Sequence, residues 1–454
     1  MAVLASVLAV SIVFYLFRRT KNGARLLPPG PRGLPLLGSL PFLGSDLHVS
    51  FAELARTYGP VMSLRLGAKL CIVLSSPETV KEALRDQDAI FANHDGPVVA
   101  LVQTYGGKDM TWAPYGPQWR MLRKVTMRQL LSPATIDGLS VMRQGEIWRM
   151  VEEIRGKAGQ PVNLRELVSA ATFNVTMVMD ALGREFGKAV EDMVDLLGAP
   201  NISDFYPALA WLDLQGLVRR MRRFLLLADR IFNSVIEERL MMMESFGPMI
   251  LKLIIPLARC SPLCETGPTG PGGRGTDTTS TTVEWAMAEL LNDPERMKTT
   301  QAEIAAVVGE GNAVEETLRL HPVLPLLVPR RPSTTCTVAG YRIPEGTKVF
   351  VNVWAIHRDP QVWENASEFK PERFLHEAGT VDYSGNTFRY LPFGTGRRIC
   401  PGISLAERMV MFILASLLHS ADWTLPAGVA PDLNEKFGLV MRKEKALVAV
   451  PNPR

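Results

Sequence analysis

Neither sign of charge dominates this 454-residue chain: 50 Lys+Arg stand against 46 Asp+Glu, a formal balance of only +4. Nucleic-acid binding is thereby excluded as a main role, because it usually needs a basic stripe or a strongly basic domain. The slight positive excess does suit an anionic membrane surface or an acidic redox partner. Cysteine is scarce as well. The five, at 71, 260, 264, 336 and 400, are odd in number and mostly far apart. They make no disulfide framework and place the body of the protein in a reducing compartment. Also absent are GxGxxG, P-loop sequences and internal repeats, so no nucleotide is bound through those motifs. What is present is 47% hydrophobic content, enough for one large core or two modest ones.

Met1 to Phe17 carry no charge, with Ser6, Ser11 and Tyr15 as their polar groups, and Arg18, Arg19, Lys21 and Arg25 follow at once. The run is at the short end of what spans a bilayer as a helix. A cleaved secretory signal carries its positive charge before the apolar core, whereas here it comes after. Residues 1–17 are therefore expected to form an uncleaved, single-pass anchor, with everything downstream on the cytoplasmic face by the positive-inside rule. Leu27-Pro28-Pro29-Gly30-Pro31-Arg32-Gly33-Leu34-Pro35 must run extended and stiff, since each proline fixes its own φ and restricts the residue before it. Residues 18–35 read as a basic, proline-rich hinge, and 36–454 as one catalytic body.

Within that body, Val61 to Leu66 and Cys71 to Leu74 are strand-like runs split by Gly67-Ala68-Lys69, a hairpin signal. Ser76-Pro77-Glu78 opens a helix, a capping residue followed by proline at the first helical position. From Gln118 to the neighbourhood of Met243 the pattern is mainly helical. A second strand-rich patch, Val338 to Val353, contains the turn Ile343-Pro344-Glu345-Gly346. Beyond Cys400, Ile403, Ala406, Val410, Ile413 and Leu417 share one helical face. The expected fold class is mainly α (α+β), with small sheets.

Phe393-Gly394-Thr395-Gly396-Arg397-Arg398-Ile399-Cys400-Pro401-Gly402 sets Cys400 in a glycine-rich loop ahead of that helix. A lone cysteine is more often a small buried hydrophobe than a ligand. Here, glycines let backbone approach a sulfur closely, and a helix start points amide hydrogens and a positive dipole end at it. Such a setting is expected to favour thiolate over thiol. Elsewhere Glu316 and Arg319 lie three apart on one helix face, and Trp119 and Arg123 lie one turn apart, so both can face one ligand. Gly275-Thr276-Asp277-Thr278-Thr279 puts a hydroxyl beside an acid, a pattern that either caps a helix start or relays protons.

Phe393, Gly396, Arg398, Cys400 and Gly402 match F-x-x-G-x-R-x-C-x-G, and the chain resembles the cytochrome P-450 superfamily. Its texture is similar to plant microsomal monooxygenases of the flavonoid 3′-hydroxylase and terpenoid hydroxylase groups. The resemblance implies a cytochrome P-450 fold after the membrane anchor. It makes Cys400 the thiolate ligand of a haem b iron, packed beside Phe393, with Arg398 on one propionate. Trp119 and Arg123 would hold the other propionate, and Arg330 would be a further donor. Glu316, Arg319 and Arg373 would form a buried triad behind the cysteine loop, a cluster that stands only if complete. Asp277 and Thr278 fall on the oxygen-activation segment as proton relays. By the same resemblance, NADPH supplies electrons through NADPH-cytochrome P-450 reductase, docked on the thiolate side. The substrate is a small lipophilic plant metabolite, and the location is the endoplasmic reticulum membrane. Segments 98–110 and 201–217, with Tyr105, Asp204, Tyr206 and Trp211, are expected to line its pocket.

Two stretches depart from the pattern. Arg274 stands where Ala or Gly belongs, and the Pro/Gly-rich 265–273 replaces the first half of a long helix. Gly309 to Glu315 runs straight into Glu316, with Asn312 expected to cap a shortened helix. Helical segments near 243–275 and 311–316 are thus expected to be missing, and Glu316 and Arg319 to be held loosely. The leading reading is a haem-thiolate monooxygenase. A catalytically impaired haem-binding remnant or a mis-spliced product is the alternative the departures favour. A peroxide-rearranging haem-thiolate enzyme is the one Thr278 argues against.

Overall fold

The computed structural model describes residues 27–177, 190, 192–244, 271–305, 312–376 and 382–453. The expected anchor, the basic half of the hinge, Cys260 and Cys264 lie outside the described residues. The proline-rich stretch runs along the first strand of the protein. Ser63 donates its backbone N–H to Pro29 O at 2.8 Å and its hydroxyl to Pro28 O at 2.6 Å.

A five-stranded sheet comprises β1 (Val61–Leu66), β2 (Lys69–Leu74), β3 (Asn93–His94), β4 (Arg330–Arg331) and β5 (Lys348–Val351), in the spatial order β1-β2-β5-β4-β3. The first turn is tighter than its three-residue signal: Lys69 already pairs with Leu66, and Gly67 takes φ +60°. β2 and β5 run parallel, and the other neighbours are antiparallel. A smaller antiparallel sheet joins Val162–Asn163, Val448–Asn452 and Asp422–Thr424.

Nine helices of eight residues or more are found among the described residues. They are α1 (Leu47–Tyr58), α2 (Pro117–Val125), α3 (Ser140–Gly156), α4 (Leu164–Met177), α5 (Leu217–Glu244), α6 (Pro271–Asn292), α7 (Pro294–Ala305), α8 (Asn312–Leu320) and α9 (Ile403–Ser420). The fold is mainly helical with small sheets, as the pattern indicated. α6 packs against α4, α7, α8 and α9, with Val283, Ala286, Met287 and Leu290 fully buried in one apolar cluster. On α9, Val410, Ile413 and Leu417 are buried as their spacing required.

Both departures look different in three dimensions. Pro271 is the first residue of α6, and Gly272 and Gly273 lie in its first turn, where a missing N–H and low helix propensity matter least. Residues 271–273 are therefore a helix start and not a loop. Asn312 sits inside the first turn of α8, not ahead of it as a cap.

Candidate functional site

The cysteine loop closes on itself, with the Cys400 N–H donating to Phe393 O at 3.0 Å. Gly394 and Gly396 take φ values of +72° and +71°. A Cβ on Gly396 would lie 2.7 Å from both Leu84 O and the Asp88 carboxylate, so glycine is required twice over there. Gly402 precedes α9, and its amide hydrogen-bonds the Cys400 sulfur. The expected thiolate does not follow from this setting alone. Burial raises the Cys400 pKa, and the Gly402 amide and the Arg123 charge oppose that without overcoming it. A bound metal cation would take the proton's place, because thiolate ligands deprotonate on coordination. Cys71 and Cys336 are free and buried; burial pushes Cys71 up to about 11 and raises Cys336 as well.

Three guanidinium groups gather beside this loop. Arg398 donates to Ala92 O (2.6 Å), Met110 O (3.0 Å) and Ala113 O (2.5 Å), and stacks 4.5 Å over the Trp119 ring. Arg330 is buried, donates weakly to Thr395 O at 3.4 Å, and its Nε has no partner. Arg123 donates to Ile399 O at 2.8 Å. Burial draws the pKa of Arg398 down to about 9 and that of Arg330 to about 10. Repulsion from Arg330 and Arg123 adds to the effect at Arg398, partly offset by Asp109. Among the described residues none of the three forms an ion pair with a carboxylate. Buried cations held by carbonyl oxygens alone are stabilised by any anion that joins them. The two propionates of a haem supply that deficit, so the residues fit the group. The Trp119 indole N–H does not point to such a ligand; it donates to Met110 O at 2.9 Å.

Behind the loop the charged triad is complete. Arg319 Nε and Nη2 clasp both oxygens of Glu316, at 2.7 and 2.8 Å, and Arg373 Nε reaches Glu316 Oε1 at 3.0 Å. The spare guanidinium hydrogens go to backbone. Arg319 donates to His357, Ala366 and Glu368 carbonyls, and Arg373 to those of Glu364, Asn365 and Glu368. Glu316 and Arg319 are fully buried, and the loose geometry expected of the short helix is not seen. Nine residues suffice because both side chains project from one turn at its C-terminal half.

Asp277 and Thr278 are on α6. Arg442 Nη2 lies 2.8 Å from Asp277 Oδ1, an ion pair that no local motif announced, while Asp277 Oδ2 is buried without a partner. Burial raises the Asp277 pKa against the pull of Arg442 and Arg165. The Thr278 backbone carbonyl accepts from the Thr282 hydroxyl at 2.9 Å. Of the expected pocket segments, Val99 and Ala100 join an apolar cluster with Met193, Leu217, Met221 and Phe224. Trp211 is 80% exposed and Tyr206 donates to Leu36 O, so these two face away from such a cluster. A cleft of about 410 Å³ lies elsewhere, lined by His48, Glu289, His321, Arg358 and Glu435 among others, and shares none of the residues above.

The Cytochrome P450 family model matches residues 28–249 and 273–450. The chain is 38% identical to a flavonoid 3′-monooxygenase of Crocosmia x crocosmiiflora over 488 aligned positions, covering 98% of this chain and 96% of that one. It is 37% identical to a geraniol 8-hydroxylase of Catharanthus roseus, with 96% and 95% covered. A solved zebra fish cytochrome P450 with progesterone superposes with a TM-score of 0.71 at 25% identity, covering 89% of this chain and 99% of that one. The 488 aligned positions exceed the 454 residues present, so the alignment opens gaps in this chain, and the family match breaks over 250–272. A buried guanidinium cluster, a glycine-framed cysteine and a matched length of this extent converge on one conclusion: the chain belongs to the cytochrome P450 family, as a haem monooxygenase.

Proposed function

We propose that this protein hydroxylates a small lipophilic plant secondary metabolite, with Cys400 as the iron ligand of its haem. The observation that carries the site assignment is the cluster of Arg123, Arg330 and Arg398, three buried or half-buried cations beside the Cys400 loop without a carboxylate partner among the described residues. Arg330 and Arg398 would hold the propionates, with Arg123 between the Cys400 loop and the cluster. The haem supplies dioxygen activation and electron transfer, tuned by a thiolate ligand. The protein's own part is positional and protonic. Phe393 and Gly402 brace Cys400 from two sides, and the triad of Glu316, Arg319 and Arg373 fastens the segment behind the loop. Asp277 and the Thr278 hydroxyl stand in sequence to move protons along α6, with the Arg442 ion pair holding Asp277 in place. Relatives named for flavonoid and geraniol oxidation support a lipophilic plant metabolite as substrate.

Electrons would come from NADPH through a flavoprotein reductase. Arg120, Lys124 and Arg128 are exposed on and just after α2, and Arg397 and Arg408 are exposed near Cys400. This basic face suits an acidic partner on the thiolate side. Membrane attachment to the endoplasmic reticulum is supported by the apolar 1–17 and by an exposed apolar surface just beyond it. Leu34, Leu36, Leu37 and Phe42 are exposed, and the Tyr206 bond to Leu36 ties them to the Leu209–Leu214 region with its exposed Trp211. Among the described residues, α9 alone is long and apolar enough to cross a membrane, and it packs against α3, α6 and α7 as a core helix.

The test is the carbon monoxide difference spectrum of the reduced protein. A thiolate-type Soret band is expected for the chain as it stands and its loss in Cys400→Ser. Retention of that band in the variant would overturn the assignment. Absence of bound haem in the unaltered chain would favour the impaired remnant, which the break at 250–272 keeps as the second reading.

A further inference from the structure

Glu315 takes no part in the triad, although it precedes Glu316 on α8. Tyr383 shares its hydroxyl hydrogen bond with the Glu315 carboxyl group, whose Oε2 is buried without a partner. Tyr390 donates its hydroxyl to the Glu315 backbone carbonyl at 3.0 Å. The Tyr383 ring meets Phe393 edge-on, centroids 5.1 Å apart and planes at 85°. Phe393 in turn holds the Cys400 N–H through its carbonyl at 3.0 Å. One line of contacts therefore runs from a buried carboxyl oxygen to the residue that braces the cysteine.

The groups acting on Glu315 are Tyr383 and Tyr390 from the segment leading into the loop and Glu407 from α9. Glu316, beside it on α8, has its charge committed to two arginines. Burial, with Glu407 adding to it, pushes the Glu315 carboxyl up to about 7 against the Tyr383 hydrogen bond. Both tyrosine hydroxyls are raised far above the usual range, chiefly by burial, and stay neutral. Glu315 thus changes its charge near neutral pH while both tyrosines stay neutral.

We propose that Glu315, acting through Tyr383, is a positioning residue for Phe393, so that the charge on Glu315 sets how the ring braces the cysteine loop. An ionised carboxylate makes a shorter, charge-assisted bond to the Tyr383 hydroxyl and holds the Tyr383 edge against Phe393. The protonated acid competes less strongly, and the Tyr383–Phe393 contact relaxes. The proposal rests on the reading of Cys400 as iron ligand for its consequence, but the movement of Phe393 is measurable separately.

The experiment is 19F NMR of the full chain in detergent micelles, with 4-fluorophenylalanine placed at position 393, recorded from pH 5.5 to 8.5. The sample is reduced under carbon monoxide so that any bound haem is diamagnetic. The expected result is a 393 resonance that titrates with a midpoint near pH 7, and loses that titration in both Glu315→Gln and Tyr383→Phe. Gln keeps a hydrogen-bond acceptor and removes the charge, so a titration that survives in Glu315→Gln belongs to another group. A resonance flat with pH in the unaltered chain, or an unchanged titration in Glu315→Gln, overturns the proposal. The Soret band of the same sample reports thiolate ligation independently: its absence counts against the Cys400 reading, while the fluorine titration still decides the role of Glu315.

Discussion

Glu316→Gln removes one charge from a fully buried ion pair and leaves its shape almost intact. Two guanidinium groups depend on that charge: Arg319, fully buried, through two bonds of 2.7 and 2.8 Å, and Arg373 through one of 3.0 Å. The amide keeps one acceptor oxygen, so the Lys370 N–H (2.7 Å) or one guanidinium remains served while its new N–H₂ faces a cation. Backbone carbonyls still receive three bonds from each arginine, which softens the loss. Breaking a buried pair by neutralising one partner typically destabilises by about 3–5 kcal/mol, and here two cations are stranded together. A loss of ~3–5 kcal/mol is a large part of a net stability of roughly 5–15 kcal/mol. The assay is urea unfolding followed by tryptophan fluorescence, since an ionic denaturant would screen the interaction under test. Arg319→Gln is expected to lose as much, and Arg373→Gln less, because its side chain is nearer the surface. A double-mutant cycle would then show strong coupling of Glu316 to Arg319 and weaker coupling to Arg373. A loss below about 1 kcal/mol in Glu316→Gln would refute the reasoning and assign the guanidinium groups to their carbonyl shells alone.

Arg330→Gln should act in opposite directions on the two forms of the protein. Without haem it removes a buried, unpaired charge and raises stability by about 1–3 kcal/mol, while haem retention on dilution falls; equal loss in both forms would count against the anion-site reading. His357 is fully buried, accepts from Leu391 N–H at 2.8 Å, and burial with Arg319 lowers its pKa to about 3. Its stabilisation is complete above the unfolded value near 6.5 and is lost as pH falls towards 3, by up to ~4–5 kcal/mol. His357→Gln, which keeps an acceptor, should flatten that acid limb of the stability curve, and an unchanged limb would exclude His357 as its source. Thr278→Ala should keep haem and NADPH consumption but divert oxygen to hydrogen peroxide, measured by coupling of NADPH oxidation to product; unchanged coupling would rule out the relay.

Local chemistry was enough to announce the glycine-framed cysteine loop, the hairpin at Gly67 and the α9 face, because each depends on spacing within a few residues; the roles of the arginines came only with the family resemblance. Glycine at 394 and 396 is legible as a need for unusual backbone angles. The backbone neighbour that forbids a Cβ at 396, near Leu84, is not, since it lies some three hundred residues away in the chain. The length missing around 250–272 was legible in the Pro/Gly-rich run, and the family match breaks over the same stretch. The helix start at Pro271 and the tight hold on Glu316 and Arg319 were not legible, because helix propensity describes an interior and says nothing of tertiary packing. The protonation of Cys400 also escaped local reasoning. A helix N-terminus argues for thiolate, but desolvation is a property of everything packed around the sulfur and outweighs one amide and one guanidinium. Arg442 beside Asp277 and Tyr383 beside Glu315 follow no motif at all. Sequence carries what a residue can do, and packing settles which charge stands next to it and how far from water.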